Sequence, residues 1–281
     1  MNAVKYLFST VSAVVLFSQG AIACPASPPS TDVKFELSKA TSGHQVAHGK
    51  ESSIISIELR YSGPEVANAK AIQTILTSAT DDAGNPLQAR TFYHDADGTY
   101  KALEKPFGKD AQNEPDTFEL SLAFEGPVAN KSIKSLTGNI KLFVPSKDPN
   151  SVVTVSFEKD AGKPLKNAEL TAAGVEITLV KPSTTPSYSG KMNGVDCKLY
   201  DLTYQIKDPN NKVVAVDFVD AKGEKLKTTS RSSSENKNLK TKSLHFDSAP
   251  PKDATVKIYL LTDKSLVTAP FEFKDIALGK R

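Results

Sequence analysis

The feature that most limits what this chain can become is a two-residue alternation of apolar and polar side chains. From Ile54 to Tyr61, Ile55, Ile57 and Leu59 project to one side while Ser56, Glu58 and Arg60 project to the other. From Thr117 to Phe124, Phe118, Leu120, Leu122 and Phe124 alternate with Glu119, Ser121 and Ala123. Neighbouring side chains of an extended strand leave opposite faces, so this period specifies strands that are buried on one face and wet on the other. Antiparallel sheets present such faces, whereas parallel sheets are buried on both. Turn signals separate the runs, among them Gly63-Pro64, Asn85-Pro86, Asp97-Gly98, Asp208-Pro209 and Pro250-Pro251.

The pattern occurs twice. Leu244-His245-Phe246 leads through Pro250-Pro251 to Val256-Lys257-Ile258-Tyr259-Leu260 and then Phe271-Glu272-Phe273-Lys274-Asp275. Earlier, Leu122-Ala123-Phe124 leads through Pro127 to Gly138-Asn139-Ile140-Lys141-Leu142 and then Val155-Ser156-Phe157-Glu158-Lys159-Asp160. Upstream, Val33-Lys34-Phe35-Glu36-Leu37 matches Val175-Glu176-Ile177-Thr178-Leu179. The turn Asp82-Ala83-Gly84-Asn85-Pro86-Leu87 matches Asp220-Ala221-Lys222-Gly223-Glu224-Lys225-Leu226, and each reads as a hairpin. The segment Pro64 to Ile72 has an early proline and helical spacing. Its counterpart Val213 to Phe218 is β-branched, so a strand is expected over Lys70 to Ser78. The fold class expected is all-β: two tandem antiparallel β-sandwich modules, immunoglobulin-like in size, with roughly seven strands each. Residues 1–23 form a signal peptide, 24–168 the first module and 169–281 the second.

The signal reading rests on Lys5, the apolar run Tyr6 to Phe17 and the small-x-small end Ala21-Ile22-Ala23. No other stretch approaches the roughly 18 apolar residues of a membrane span. The expected location is therefore outside the cytoplasm, periplasmic or extracellular. Cleavage would make Cys24 the first residue. It either bonds to Cys197, closing a loop worth about 5 kcal/mol in chain entropy, or carries a lipid anchor. Ala21 departs from the leucine that a lipoprotein box prefers at that position. The formal net charge of +3 gives no global field of the kind that gathers nucleic acid, so no nucleic-acid partner is expected.

His44 and His48 stand four apart, but in a loop-like setting with no third ligand nearby, and Asp95-Ala96-Asp97-Gly98 lacks the remaining oxygens of a calcium loop. Neither implies a metal, and no residues imply a cofactor. No Gly-x-Ser-x-Gly elbow and no paired carboxylates specify hydrolysis. Recognition is better served by Arg90, Phe92, Tyr93, His94 and Tyr100, because aromatics with arginine in a loop bury large area at little entropic cost. The stretch Lys222 to Lys242, read as a long solvated loop, holds seven Lys or Arg against Glu224 and Glu235. Within it Lys237, Lys240 and Lys242 are candidate contacts for a polyanion. The function expected is a non-catalytic exported cell-envelope protein with a binding or scaffolding role, its partner an envelope protein or polysaccharide. The alternative is a hydrolase acting on an envelope or extracellular polymer.

Overall fold

A computed structural model describes residues 32–47, 49–90, 99–103, 117–127, 130–183, 185–192, 195–236 and 239–280. The expected signal peptide, residues 1–23, and Cys24, His48, Phe92, Tyr93, His94, Asp95 to Gly98 and Lys237 lie outside the described residues. The chain begins with β1 (Lys34–Ala47), β2 (Lys50–Ser62), one helical turn α1 (Pro64–Asn68), β3 (Ala71–Asp81), β4 (Gln88–Ala89) and β5 (Lys101–Ala102). It continues through β6 (Thr117–Gly126), β7 (Ser132–Phe143), β8 (Val152–Ser156), α2 (Phe157–Asp160), α3 (Ala168–Ala173), β9 (Glu176–Leu179), β10 (Tyr188–Met192) and β11 (Val195–Lys207). The remaining strands are β12 (Val213–Val219), β13 (Ser230–Asn236), β14 (Leu239–Phe246), β15 (Thr255–Leu260), β16 (Leu266–Ala277) and β17 (Gly279–Lys280). The molecule is all-β with antiparallel pairing throughout, apart from a short parallel contact of β17 with β1. Among the described residues no helix is long and apolar enough to cross a membrane.

Alternation does what its period implies. Ile55, Ile57 and Leu59 of β2 and Leu120, Leu122 and Phe124 of β6 are buried, and they face Ile133, Leu136, Ile140 and Leu142 of β7 across the first core. That core lies between the sheets β17-β1-β2-β6-β4 and β16-β7-β3-β5. A second core, with Leu202, Ile206, Phe218, Val256 and Ile258, lies between β10-β11-β14-β13 with β9 and the three strands β12-β15-β8. A small third cluster of Ala71, Phe143 and Tyr259 joins them. Phe143 meets Tyr259 edge to face, with ring centroids 6.4 Å apart.

The two hairpin turns are built alike. Asp81 accepts from the N–H groups of Ala83 and Asn85, and Asp220 from those of Lys222 and Glu224. Gly84 and Gly223 both adopt positive φ, 84° and 83°, which a β-carbon would resist. Both α1 and the strand after it are present: the helix stops at Asn68 and β3 covers the expected strand. Other elements differ from expectation. Phe157 to Asp160 forms a helical turn rather than a strand, with Ser156 at its N-cap and Phe157 drawn into the second core. His44 lies within β1 rather than in a loop. Lys222 to Lys242 is no long loop, because it contains β13 and the start of β14. The exposed β13 shows no apolar alternation and is held by backbone pairing to β14.

Strand pairing crosses the position expected for the module boundary, near residue 168, in both directions. After β7 the chain passes through two 3-10 turns, Pro145–Lys147 and Pro149–Ser151, and β8 pairs with β15 of the second core. After β15 it passes through one such turn, Asp263–Ser265, and β16 returns to pair with β7 of the first. The crossing loops touch. Thr262 Oγ1 donates to Asp148 Oδ2 at 2.6 Å, and the Val144 N–H donates to the Ser265 carbonyl at 2.8 Å. Ser151 and Ser265, both fully buried, satisfy their hydroxyls on carbonyls within their own turns.

A chain ending at Ser265 is expected to lose amide-exchange protection across β3 and β7 while keeping it across β11 and β14; uniform loss or uniform retention would contradict this pairing. The Asp148 carboxyl is held below its ordinary 3.8 by the Thr262 hydroxyl and then the Asn150 N–H, against the opposing effect of burial. Its contribution is therefore present above the unfolded value and is lost as pH falls through the folded one. Asp148→Asn should make the acid decline of the urea midpoint shallower than in the parent chain, and parallel declines would argue against the clasp.

Candidate functional site

Beside the third cluster, a cleft of about 300 Å³ opens along β12. The strand Val213–Val219 is apolar, and mostly β-branched, except for Asp217, whose side chain is 7% exposed. Alternation turns Val216 and Phe218 into the second core, so Asp217 and Ala215 face the junction with the first. Three groups hold the Asp217 carboxylate. Lys225 Nζ lies 2.8 Å from one oxygen, Lys70 Nζ 3.6 Å from the other, and the Tyr259 hydroxyl donates a hydrogen bond. Lys70 also sits over the Tyr259 ring, 5.4 Å from its centroid. Burial, followed by the Asp217 charge and that hydrogen bond, pushes the Tyr259 phenol up to about 12.

The opposite wall comes from β13 and β14. Lys242 pairs in register with Tyr204 of β11 and Ser233 of β13, which places it on the same side of the sheet as buried Leu244 and Phe246. An ammonium group on the inward side loses water, and burial lowers the Lys242 pKa. The nearby charges of Lys240 and Arg231 push the same way. Among the described residues no carboxylate pairs with Lys242. The cleft thus gathers Lys70, Lys225, Arg231 and Lys242 around a single buried carboxylate, with Tyr204, Val214, Val216 and Leu244 supplying apolar wall. Lys240 opens onto a smaller adjoining hollow of about 70 Å³, shared with Lys242, Val214 and Val216. Lys242, without a carboxylate partner among the described residues, can hold an anion there.

Of the expected recognition residues, only Arg90 and Tyr100 lie among the described ones; Phe92, Tyr93 and His94 lie outside them. Arg90 follows β4, where its N–H donates to the Ala123 carbonyl at 2.9 Å. Tyr100 instead packs against the third cluster, where burial raises its phenol. Of the polyanion candidates, Lys240 and Lys242 lie on one side of β14 and share one hollow. Cys197 is half-buried on β11 opposite Gly190. Lys70, Asp217 and Lys225 carried no motif. The local signal that could have marked them is a carboxylate inside an otherwise apolar strand, since a buried charge requires partners. Sequence reading also passed over His245, whose Nδ1 lies 2.7 Å from Asp201 Oδ1. Ser187 donates to that same oxygen at 2.7 Å. A serine nucleophile needs its hydroxyl on the imidazole, and here it is bound to the carboxylate.

Comparison with protein families, with curated proteins and with solved structures finds no match.

Replacing Asp217 by Asn should lower the Tyr259 phenol partway from about 12, because burial, the larger cause, is unchanged. A spectrophotometric tyrosine titration reads this directly. The same change should reduce unfolding stability by only about 1 kcal/mol, since Lys70 and Lys225 are 43% and 51% exposed and can return to water. An unchanged phenol would remove Asp217 from the site.

Proposed function

We propose that this is a non-catalytic, exported cell-envelope protein, made of two tandem immunoglobulin-like β-sandwich modules, that binds an anionic ligand in the cleft beside β12. The observation that carries this reading is Lys242. A half-buried cation beside Arg231 and Lys240, with no carboxylate partner among the described residues, is unfavourable in the empty protein. An entering anion offsets both the lost hydration and the like-charge repulsion.

The tandem reading draws support from the matched Asp81 and Asp220 hairpins and from the buried serines Ser151 and Ser265 in the two crossing loops. On this reading β8 and β16 are equivalent final strands, each donated by one module to the other. Export draws on the pattern of residues 1–23, and the partner is an anionic envelope component reached in the periplasm or outside the cell. The hydrolase alternative would rest on Ser187, Asp201 and His245, where the serine hydroxyl is engaged by the carboxylate and not by the base.

Short-chain polyphosphate should bind the mature protein with an affinity that falls as salt rises. Lys242→Ala combined with Arg231→Ala should weaken that binding about tenfold or more, roughly 1.4 kcal/mol. Lys34→Ala on β1 serves as the control for scattered surface charge. Equal affinities for all three proteins in calorimetry would refute the cleft as the binding site.

A further inference from the structure

We infer that the cleft is a strand-addition site, and that its ligand is an extended acidic segment of a partner protein. This deepens the anion-binding reading and rests on it.

The two cores supply an internal comparison. In the first, Leu142 and Phe143 of β7 pair with Ile72 and Ala71 of β3. In the second, Ile258 and Tyr259 of β15 pair with Val216 and Ala215 of β12. The sequences Lys141-Leu142-Phe143 and Lys257-Ile258-Tyr259 correspond, and Phe143 touches Tyr259. Val214, Ala215 and Val216 therefore stand where Lys70, Ala71 and Ile72 stand in the first core. There the outer edge is covered. Ala71 and Ile72 pair with Ala102 and Lys101 of β5, and the Leu103 N–H donates to the Lys70 carbonyl at 2.9 Å. Over the equivalent stretch of β12, no described strand pairs on the outer side.

The backbone of that stretch is directed outward. The Phe218 carbonyl accepts the Leu226 N–H at 2.8 Å on the side away from β15. Two residues earlier, the N–H and carbonyl of Val216 face the same way. They open into the cleft, which Val214, Ala215 and Val216 line. A bare strand edge recognises a main chain, because only a peptide supplies donors and acceptors at the spacing of a ladder. Lys242, on the wall facing β12 and with no carboxylate partner among the described residues, then selects an acidic side chain. A polysaccharide would satisfy that cation and leave the ladder unmade.

The test uses the mature full chain and a fluorescent, acetylated heptapeptide alternating glutamate with valine. Comparators are the same peptide N-methylated on alternate amides, a version with lysine for glutamate, and short-chain polyphosphate. The acidic peptide should bind and the lysine version should not. N-methylation should weaken binding by roughly tenfold, as expected for lost ladder bonds. Val216→Pro removes an outward N–H without breaking the pairing to β15; it should weaken the peptide similarly while polyphosphate binding persists. Because N-methylation leaves the protein untouched, misfolding of the proline variant would not shelter the proposal. Peptide affinity indifferent to N-methylation overturns strand addition. Polyphosphate bound in a Lys242-dependent way with no peptide binding overturns it too, leaving the broader anion reading in place; if neither probe binds, both readings fall.

Discussion

Everything in this fold depends on the two strands that leave one core for the other. Without β16, β7 would present an open edge and the first core would lose Val267, Ala269, Phe271 and Ile276. Without β8, β15 would be exposed in the same way and the second core would lose Val153. The second interior is built from one continuous run, β8 to β15, but the first cannot be completed without β16, so the connection between the cores is made of main-chain ladders as well as side-chain contact. The crossing point is correspondingly well satisfied. Ser151 and Ser265 bond within their turns, and Asp148 accepts from Thr262 across them. A buried carboxylate in that place would be unfavourable if it lacked donors.

This arrangement also explains the cleft. Bringing Phe143 against Tyr259 carries Lys70, at the start of β3, over to Asp217 on β12. Asp217 then serves two lysines and a phenol from three separate elements, and it fixes one wall. The other wall is set by the pairing of β13 and β14, which turns Arg231 and Lys242 inward. Inward-pointing charge near a sheet edge discourages unwanted pairing of the edge strand. Here the same charges also decide which chemistry the opening tolerates.

Several strands were legible in the amino acids because they carry their own alternation: β2, β6 and the later part of β7, through Leu142, need no neighbour to be recognised. The paired hairpins were legible too, offset by one residue, since Asp81 and not Asp82 occupies the place of Asp220. Partner choice was not. Period two states which face is buried and is silent on which strand lies alongside, so β8 and β16 could not be assigned to the cores they complete. The all-polar β13 gave no period and was taken as part of a loop. Lys240 and Lys242 stood out as charge, but that they face inward depends on the register of β14 against β11. Lys70 and Lys225 are about 155 residues apart in sequence, and only tertiary structure brings both to Asp217.

The placement of β16 bears on the order in which the molecule assembles. A chain emerges N-terminus first, so β1 to β7 of the first core appear before the second core, yet the outer strand β16 arrives only after all of β8 to β15. The second core, whose strands run from β8 to β15, has all its parts sooner. Maturation therefore proceeds backwards along the sequence: the later-made half closes first and the earlier-made half waits with an unfilled sheet. Pairings between such distant segments form slowly and leave apolar surface exposed meanwhile. Such an interval of incompleteness is a natural point for a chaperone to act, and it is set by topology rather than by any single weak contact.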